Sequence, residues 1–217
     1  MNSIPSRFSA IHNERTIRLS AKRLGDYTAR LGELMPGDQV VVFGGYGTFG
    51  VRGLAAAGPA IWIAGGIGIT PFLSLLRHIA EGQAAYAGNM TFIWTVREPD
   101  DAIYLDEIMA LTARTPQIRF HLHVASSDGW LTAERVAVLA GDRLATARIL
   151  LCGPPAMMHA LTDQFVAQGF SAARSSVKSS RCVKHVDYCP ASVWKLATDT
   201  HEAGNRRRLL HPRESVI

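Results

Sequence analysis

From residue 57 to residue 170 the chain alternates short, nearly unbroken apolar runs with longer segments of helical period. Residues 59–64 (PAIWIA) read as a buried strand and 90–96 (MTFIWTV) as a second. Residues 118–124 (IRFHLHV) alternate in period two as a third strand, and 148–152 (RILLC) form a fourth. Between and after them, 71–81, 104–113, 132–139 and 154–168 have helix-like patterns; in the second of these Leu105, Ile108, Met109 and Leu111 are apolar. Strand followed by helix, repeated, is the signature of parallel strands joined by crossover helices. The predicted fold class is therefore α/β, a doubly wound parallel sheet, with four βα units in about 110 residues supplying one core.

The flanking segments read differently. Residues 16–22 (TIRLSAK) alternate in period two, 25–34 form a short helix, and 39–43 (QVVVF) form a strand ending in the turn Gly44-Gly45-Tyr46-Gly47. Two strands and a helix do not make an independent β-domain, so this segment is expected to be the last part of a larger one. After Phe170 there is one glycine in 47 residues, no clear apolar period and the run Arg206-Arg207-Arg208, which predicts an irregular tail. The expected organisation is a partial unit over 1–56, the α/β domain over 57–170 and a basic tail over 171–217.

Composition narrows the function classes. With 217 residues, 47% hydrophobic and 19% charged, collagen, coiled coil and wholesale disorder are excluded. The formal charge of +5 comes from the tail, because residues 1–169 hold 14 basic and 14 acidic residues while 170–217 hold 9 and 4. No nucleic-acid partner is expected, since the arginine run lacks aromatic interleaving. Cys152, Cys182 and Cys189 have neither ligand spacing nor a dense framework, so no metal site and a reducing, cytoplasmic setting are expected. The N-terminus lacks the apolar core of a signal peptide. The uncharged stretch between Arg52 and Arg77 is broken by Gly53, Gly58, Gly65, Gly66 and Gly68 with Pro59 and Pro71, which argues against a membrane span. His121 and His123 alternate on one strand face, where exposure is expected, and Ser9 and Ser74 have no nucleophile-elbow context.

Two turns carry the chemistry. Gly65-Gly66-Ile67-Gly68-Ile69-Thr70-Pro71 follows the first strand of the α/β domain and opens a helix. Small residues there let backbone approach a phosphate, and the amides and positive dipole end of the helix favour an anion. Pro71 suits a first helical position. Cys152-Gly153-Pro154-Pro155 stands at the end of the fourth strand, and in an open parallel sheet both turns lie on the edge where ligands bind.

Gly-Gly-Ile-Gly-Ile-Thr-Pro followed by Cys-Gly-Pro-Pro-Ala-Met-Met resembles the NAD(P)H-binding domain of the ferredoxin-NADP reductase superfamily, and most of all the flavin-containing reductase module of ferric reductase-like and NADPH oxidase-like proteins. Upstream, Gly25-Asp26-Tyr27-Thr28 is similar to that family's flavin pyrophosphate turn, and Gly44 to Phe49 resembles the turn that ends its flavin barrel. The resemblance implies FAD and either NADPH or NADH as cofactors. It further implies hydride transfer to the flavin and single electrons passed onward to an acceptor, in ferric reductase-like relatives a membrane haem domain. By the same resemblance Gly65 to Pro71 face the pyrophosphate, Thr70 and Cys152 with Gly153, Pro154 and Pro155 lie by the nicotinamide, and Arg97 reaches the adenosine side. Most of the flavin barrel and the last strand with its aromatic residue have no evident counterpart, so the chain reads as truncated; Phe170 and Tyr188 are poor candidates for that aromatic. The rival expectation is a non-catalytic fragment that binds nucleotide or a partner subunit.

Overall fold

A computed structural model describes residues 6–10, 17–21, 31–43, 49, 58–82, 84, 86, 88–172, 185–188 and 195–197. Strands β1 (Ser6–Ala10) and β2 (Ile17–Ala21) form an antiparallel pair, and β3 (Val41–Phe43) follows. The α/β part then runs β4 (Ala60–Gly65), α1 (Ile69–Ala80), β5 (Met90–Val96), α2 (Leu105–Ala113), β6 (Ile118–Val124), α3 (Ala133–Ala140), β7 (Arg148–Cys152) and α4 (Pro155–Ala167). Three short strands come last: β8 (Ser171–Ala172), β9 (His185–Tyr188) and β10 (Lys195–Ala197).

One sheet holds six of these strands in the order β6-β5-β4-β7-β9-β8, every neighbouring pair parallel. The chain moves outward from β4 through β5 to β6, then returns to lay β7 on the other side of β4. That reversal makes the C-terminal ends of β4 and β7 the topological switch point of the sheet.

Both faces of the sheet's centre are covered, and that is why β4, β5 and β7 read as apolar runs while the edge strand β6 alternates. Register places Trp62 beside Phe92 and Leu150, and these side chains share a core cluster with Phe72 of α1 and Ile108 of α2. The Trp62 and Phe72 ring centroids are 5.3 Å apart and those of Phe72 and Phe92 5.7 Å, both tilted, while Trp62 meets Phe92 edge-to-face at 5.6 Å. Ile61, Ile63, Ile93, Ile149 and Leu151 point the other way, onto Ala133, Val136, Leu161 and Phe165 of α3 and α4. At the entry to β4 the hydroxyl of Tyr86 donates to the Gly58 carbonyl at 2.8 Å, and burial pushes its pKa up to about 12 against the opposing pull of Arg148.

The N-terminal segment docks on the α1 and α2 side. Phe49 meets Phe72 edge-on at 5.3 Å, and the Ser20 and Tyr104 hydroxyls share a short hydrogen bond. Of the helix expected over 25–34, the described part is the single 3-10 turn Leu31–Glu33. The expectation of an irregular tail is corrected at three places, of which Ser171–Ala172 is the first, pairing parallel with β9. His185–Tyr188 enters the sheet parallel to β7, with Leu151 opposite Tyr188, and Lys195–Ala197 pairs antiparallel with β3. Three or four residues give too short a pattern for a period to show, and the partners that order them lie far away in sequence. Arg206, Arg207 and Arg208 lie outside the described residues. Among the described residues no helix is long and apolar enough to cross a membrane.

Candidate functional site

The two predicted turns meet at the switch point, and glycine is what lets them meet. A Cβ placed on Gly68 would sit 2.7 Å from the Cys152 carbonyl carbon and 2.9 Å from the Gly153 Cα, with the Cys152 carbonyl oxygen nearer still. One on Gly65 would sit 2.6 Å from Sδ of Met157 and 2.9 Å from Cδ of Pro154. On Gly153 it would meet the Met157 methyl at 2.5 Å and the Gly65 Cα at 3.1 Å. These three glycines therefore serve turn-to-turn packing, with Met157 laid over Gly65 and Gly153. This packing gives Gly65 and Gly68 a structural reason to be small that stands beside the phosphate expectation.

Gly66 is different. It has φ of +49°, a left-handed conformation that glycine adopts freely, and nothing lies within 4 Å of where its Cβ would be. It is half-buried, as is Ile67, so this is where the turn opens outward. Residues Gly66–Gly68 form a 3-10 turn that runs straight into α1. Consequently Pro71 is the third residue of α1 and not the first, still within the opening turn where a missing N–H costs no helical bond. In α4 Pro155 takes the first helical position, with Pro154 as the extended residue before it.

Thr70 and Cys152 are both fully buried. The Thr70 hydroxyl donates to the Ile67 carbonyl at 3.3 Å, bracing the turn, and the Cys152 side chain packs in the core on the α1 side of the sheet. Ile69 is buried at the start of α1. Sequence reasoning missed Trp94, whose indole Nε1–H donates to the Gly66 carbonyl at 3.0 Å from the neighbouring strand β5. Its only signal in the sequence is an apolar residue in an apolar run.

Farther along the same sheet edge, Arg97 is exposed just after β5, and its carbonyl accepts the Ser126 N–H at 3.0 Å. This bond brings together the ends of β5 and β6, so Arg97 and the turn Ala125–Asp128 form one surface. The Val124 amide and then the Ser127 hydroxyl hold the Asp128 carboxyl below the usual carboxylate range. His123 is not exposed as expected. It is buried, and its Nε2–H donates to the Gly129 carbonyl at 2.9 Å, because the chain folds back over the strand end. His121 is half-buried, and burial, with Arg119 and Arg135 nearby, pushes its pKa below the ordinary value. The described residues contain no group of three or more His, Cys, Asp or Glu that would hold a metal. Gly25, Asp26, Tyr27 and Thr28 lie outside the described residues.

Residues 62–163 match the family described as oxidoreductase NAD-binding domain. The chain is 33% identical over 147 residues to the reductase component of propane 2-monooxygenase from Mycolicibacterium smegmatis, covering 63% of this chain and 41% of that protein. It is 32% identical over 127 residues to NADH-cytochrome b5 reductase 1 of Emericella nidulans, covering 52% of this chain and 40% of the relative. A mutant of ferredoxin-NADP+ reductase from Plasmodium falciparum superposes over 84% of this chain and 75% of its own, with a TM-score of 0.55 and 16% identity. The described α/β part of the chain thus has the fold of that reductase's structure, and residues 62–163 within it match an NAD-binding domain. The chain spans about two fifths of the length of the curated relatives it matches.

Proposed function

We propose that the chain is the nucleotide-binding part of an oxidoreductase that takes hydride from NADH or NADPH to FAD and passes single electrons onward. The observation that carries this reading is the meeting of two strand-to-helix turns at the switch point, inside the stretch that matches the NAD-binding domain. The open outer side of Gly66 and the start of α1 fit a pyrophosphate, since a left-handed glycine and a helix N-terminus together present amides to an anion. Gly153, Pro154 and Pro155 would support the nicotinamide with Thr70 and Cys152 beneath them, and Arg97 would face the adenosine side. A bound flavin takes two electrons as hydride and releases them one at a time. The chain's own residues bind and orient; no strong acid or base is needed.

The acceptor belongs to the proposal as well. The relatives' names point to a redox protein, an oxygenase component or a cytochrome, while the turn motifs resemble most of all those of ferric reductase-like proteins. The test is to supply the purified full chain with FAD and each nicotinamide nucleotide and to follow reduction of ferricyanide, cytochrome b5 and a ferric chelate. Nucleotide-dependent reduction of any one of the three supports the electron-transfer reading. Tight NADH or NADPH binding with no reduction of any acceptor would overturn it in favour of a non-catalytic nucleotide-binding role.

A further inference from the structure

We propose that Trp94 is a positioning residue for the nucleotide's phosphates, acting through the peptide that joins Gly66 to Ile67; this rests on the reading that the Gly66 turn faces the pyrophosphate. Trp94 is 1% exposed, and its Nε1–H reaches across from β5 to the Gly66 carbonyl at 3.0 Å, a bond spanning 28 residues of sequence. The same carbonyl accepts the Ile69 N–H within the 3-10 turn, so both of its lone pairs are used. In a trans peptide the carbonyl and the following N–H point in opposite directions. A Gly66 carbonyl turned inward to a buried indole therefore turns the Ile67 N–H the opposite way, away from the Trp94 ring, at a turn where the Gly66 Cβ position is open. An outward amide at the start of a helix is what an anionic ligand meets.

The need for such a lock follows from the residue at the turn. Glycine at φ of +49° resists rotation of its peptide plane less than any other residue, so within the local chain the Ile69 N–H alone holds the direction of the Gly66 carbonyl. Trp94 adds a long-range donor from the rigid sheet. Trp62 supplies the contrast: it lies on the same face of the sheet in the same core, is fully buried, and its Nε1 has no hydrogen-bond partner among the described residues.

The experiment compares Trp94→Phe with Trp62→Phe in the full chain, titrated with NADH, with ADP as a pyrophosphate probe and with adenosine. Trp94→Phe is expected to weaken NADH and ADP binding about tenfold, in line with loss of a preorganised charge-assisted bond, and to leave adenosine unchanged. Trp62→Phe should change none of the three. Equal losses for ADP and adenosine in Trp94→Phe, or equal behaviour of the two variants toward ADP, would overturn the proposal. If Trp94→Phe does not fold, the wild-type chain still decides: the Trp94 indole N–H resonance should shift on adding ADP and stay still on adding adenosine, and no shift with ADP contradicts it. A wild-type chain that binds neither NADH nor ADP would instead remove the underlying reading of the turn.

Discussion

Gly68→Ala should lower the stability of the folded chain by about 3 kcal/mol or more, at the upper end of what overpacking costs. The added methyl would press on the Cys152 carbonyl group and the Gly153 Cα, all backbone atoms of a buried strand end. No side chain can swing aside, so the two turns must separate or the strands shift. Gly66→Ala is the matched control. There the methyl enters open space and the cost is the left-handed backbone alone, about 1 kcal/mol. Thermal denaturation followed by circular dichroism should show a melting temperature lower by roughly 10 °C for Gly68→Ala and by about 3 °C for Gly66→Ala. Equal shifts would mean that the turns do not pack as described.

The second large effect concerns the seam between α1 and α2. Arg77 is 4% exposed, and its Nε donates to Oε1 of Glu107 at 2.6 Å, with Nη2 at 2.5 Å from the same oxygen. A buried guanidinium depends on its partner, because removing one member of such a pair leaves a desolvated charge and costs about 3 to 5 kcal/mol. Glu107→Ala should therefore destabilise the fold by about 3 kcal/mol, the low end, since Glu107 is itself one-third exposed. Replacing both partners, Arg77→Met with Glu107→Leu, should recover most of that loss, because no buried charge then remains. Urea denaturation of the single and double variants measures both values; a double variant as unstable as the single would contradict the assignment of the cost to a buried arginine that has lost Glu107.

The strands of the sheet were legible because they are buried on both faces. Apolar runs mark 90–96 and 148–152 and a period-two pattern marks the edge strand 118–124, and the structure places β5, β7 and β6 over those residues. The two turns were legible as glycine and proline clusters at strand ends. Which glycine does what was not, because Gly68 and Gly153 lie 85 residues apart in sequence and only the closed sheet brings their turns within touching distance. Trp94 was hidden for a related reason: hydropathy records its ring and not where its N–H points. His123 was assigned to solvent by a period-two pattern that assumes one wet face, yet the chain after β6 folds over that strand end and gives the ring a carbonyl to bond. Strand β9 has four residues, too few for a period to show, and its place beside β7 is decided by the sheet it joins.

The central claim is that the Gly66 turn receives the phosphates of a nicotinamide nucleotide, and charge is the most direct way to test it. Gly66→Asp and Gly66→Asn introduce side chains of nearly equal shape into the open space beside the turn, and both residues tolerate the left-handed conformation that Gly66 adopts. They differ in one negative charge. In calorimetric titrations with NADH and NADPH at low salt, the account predicts that Gly66→Asp binds at least about tenfold more weakly than Gly66→Asn, and that the gap narrows as salt is added. Equal affinities for the two variants would place the nucleotide's phosphates elsewhere on the protein and contradict the account.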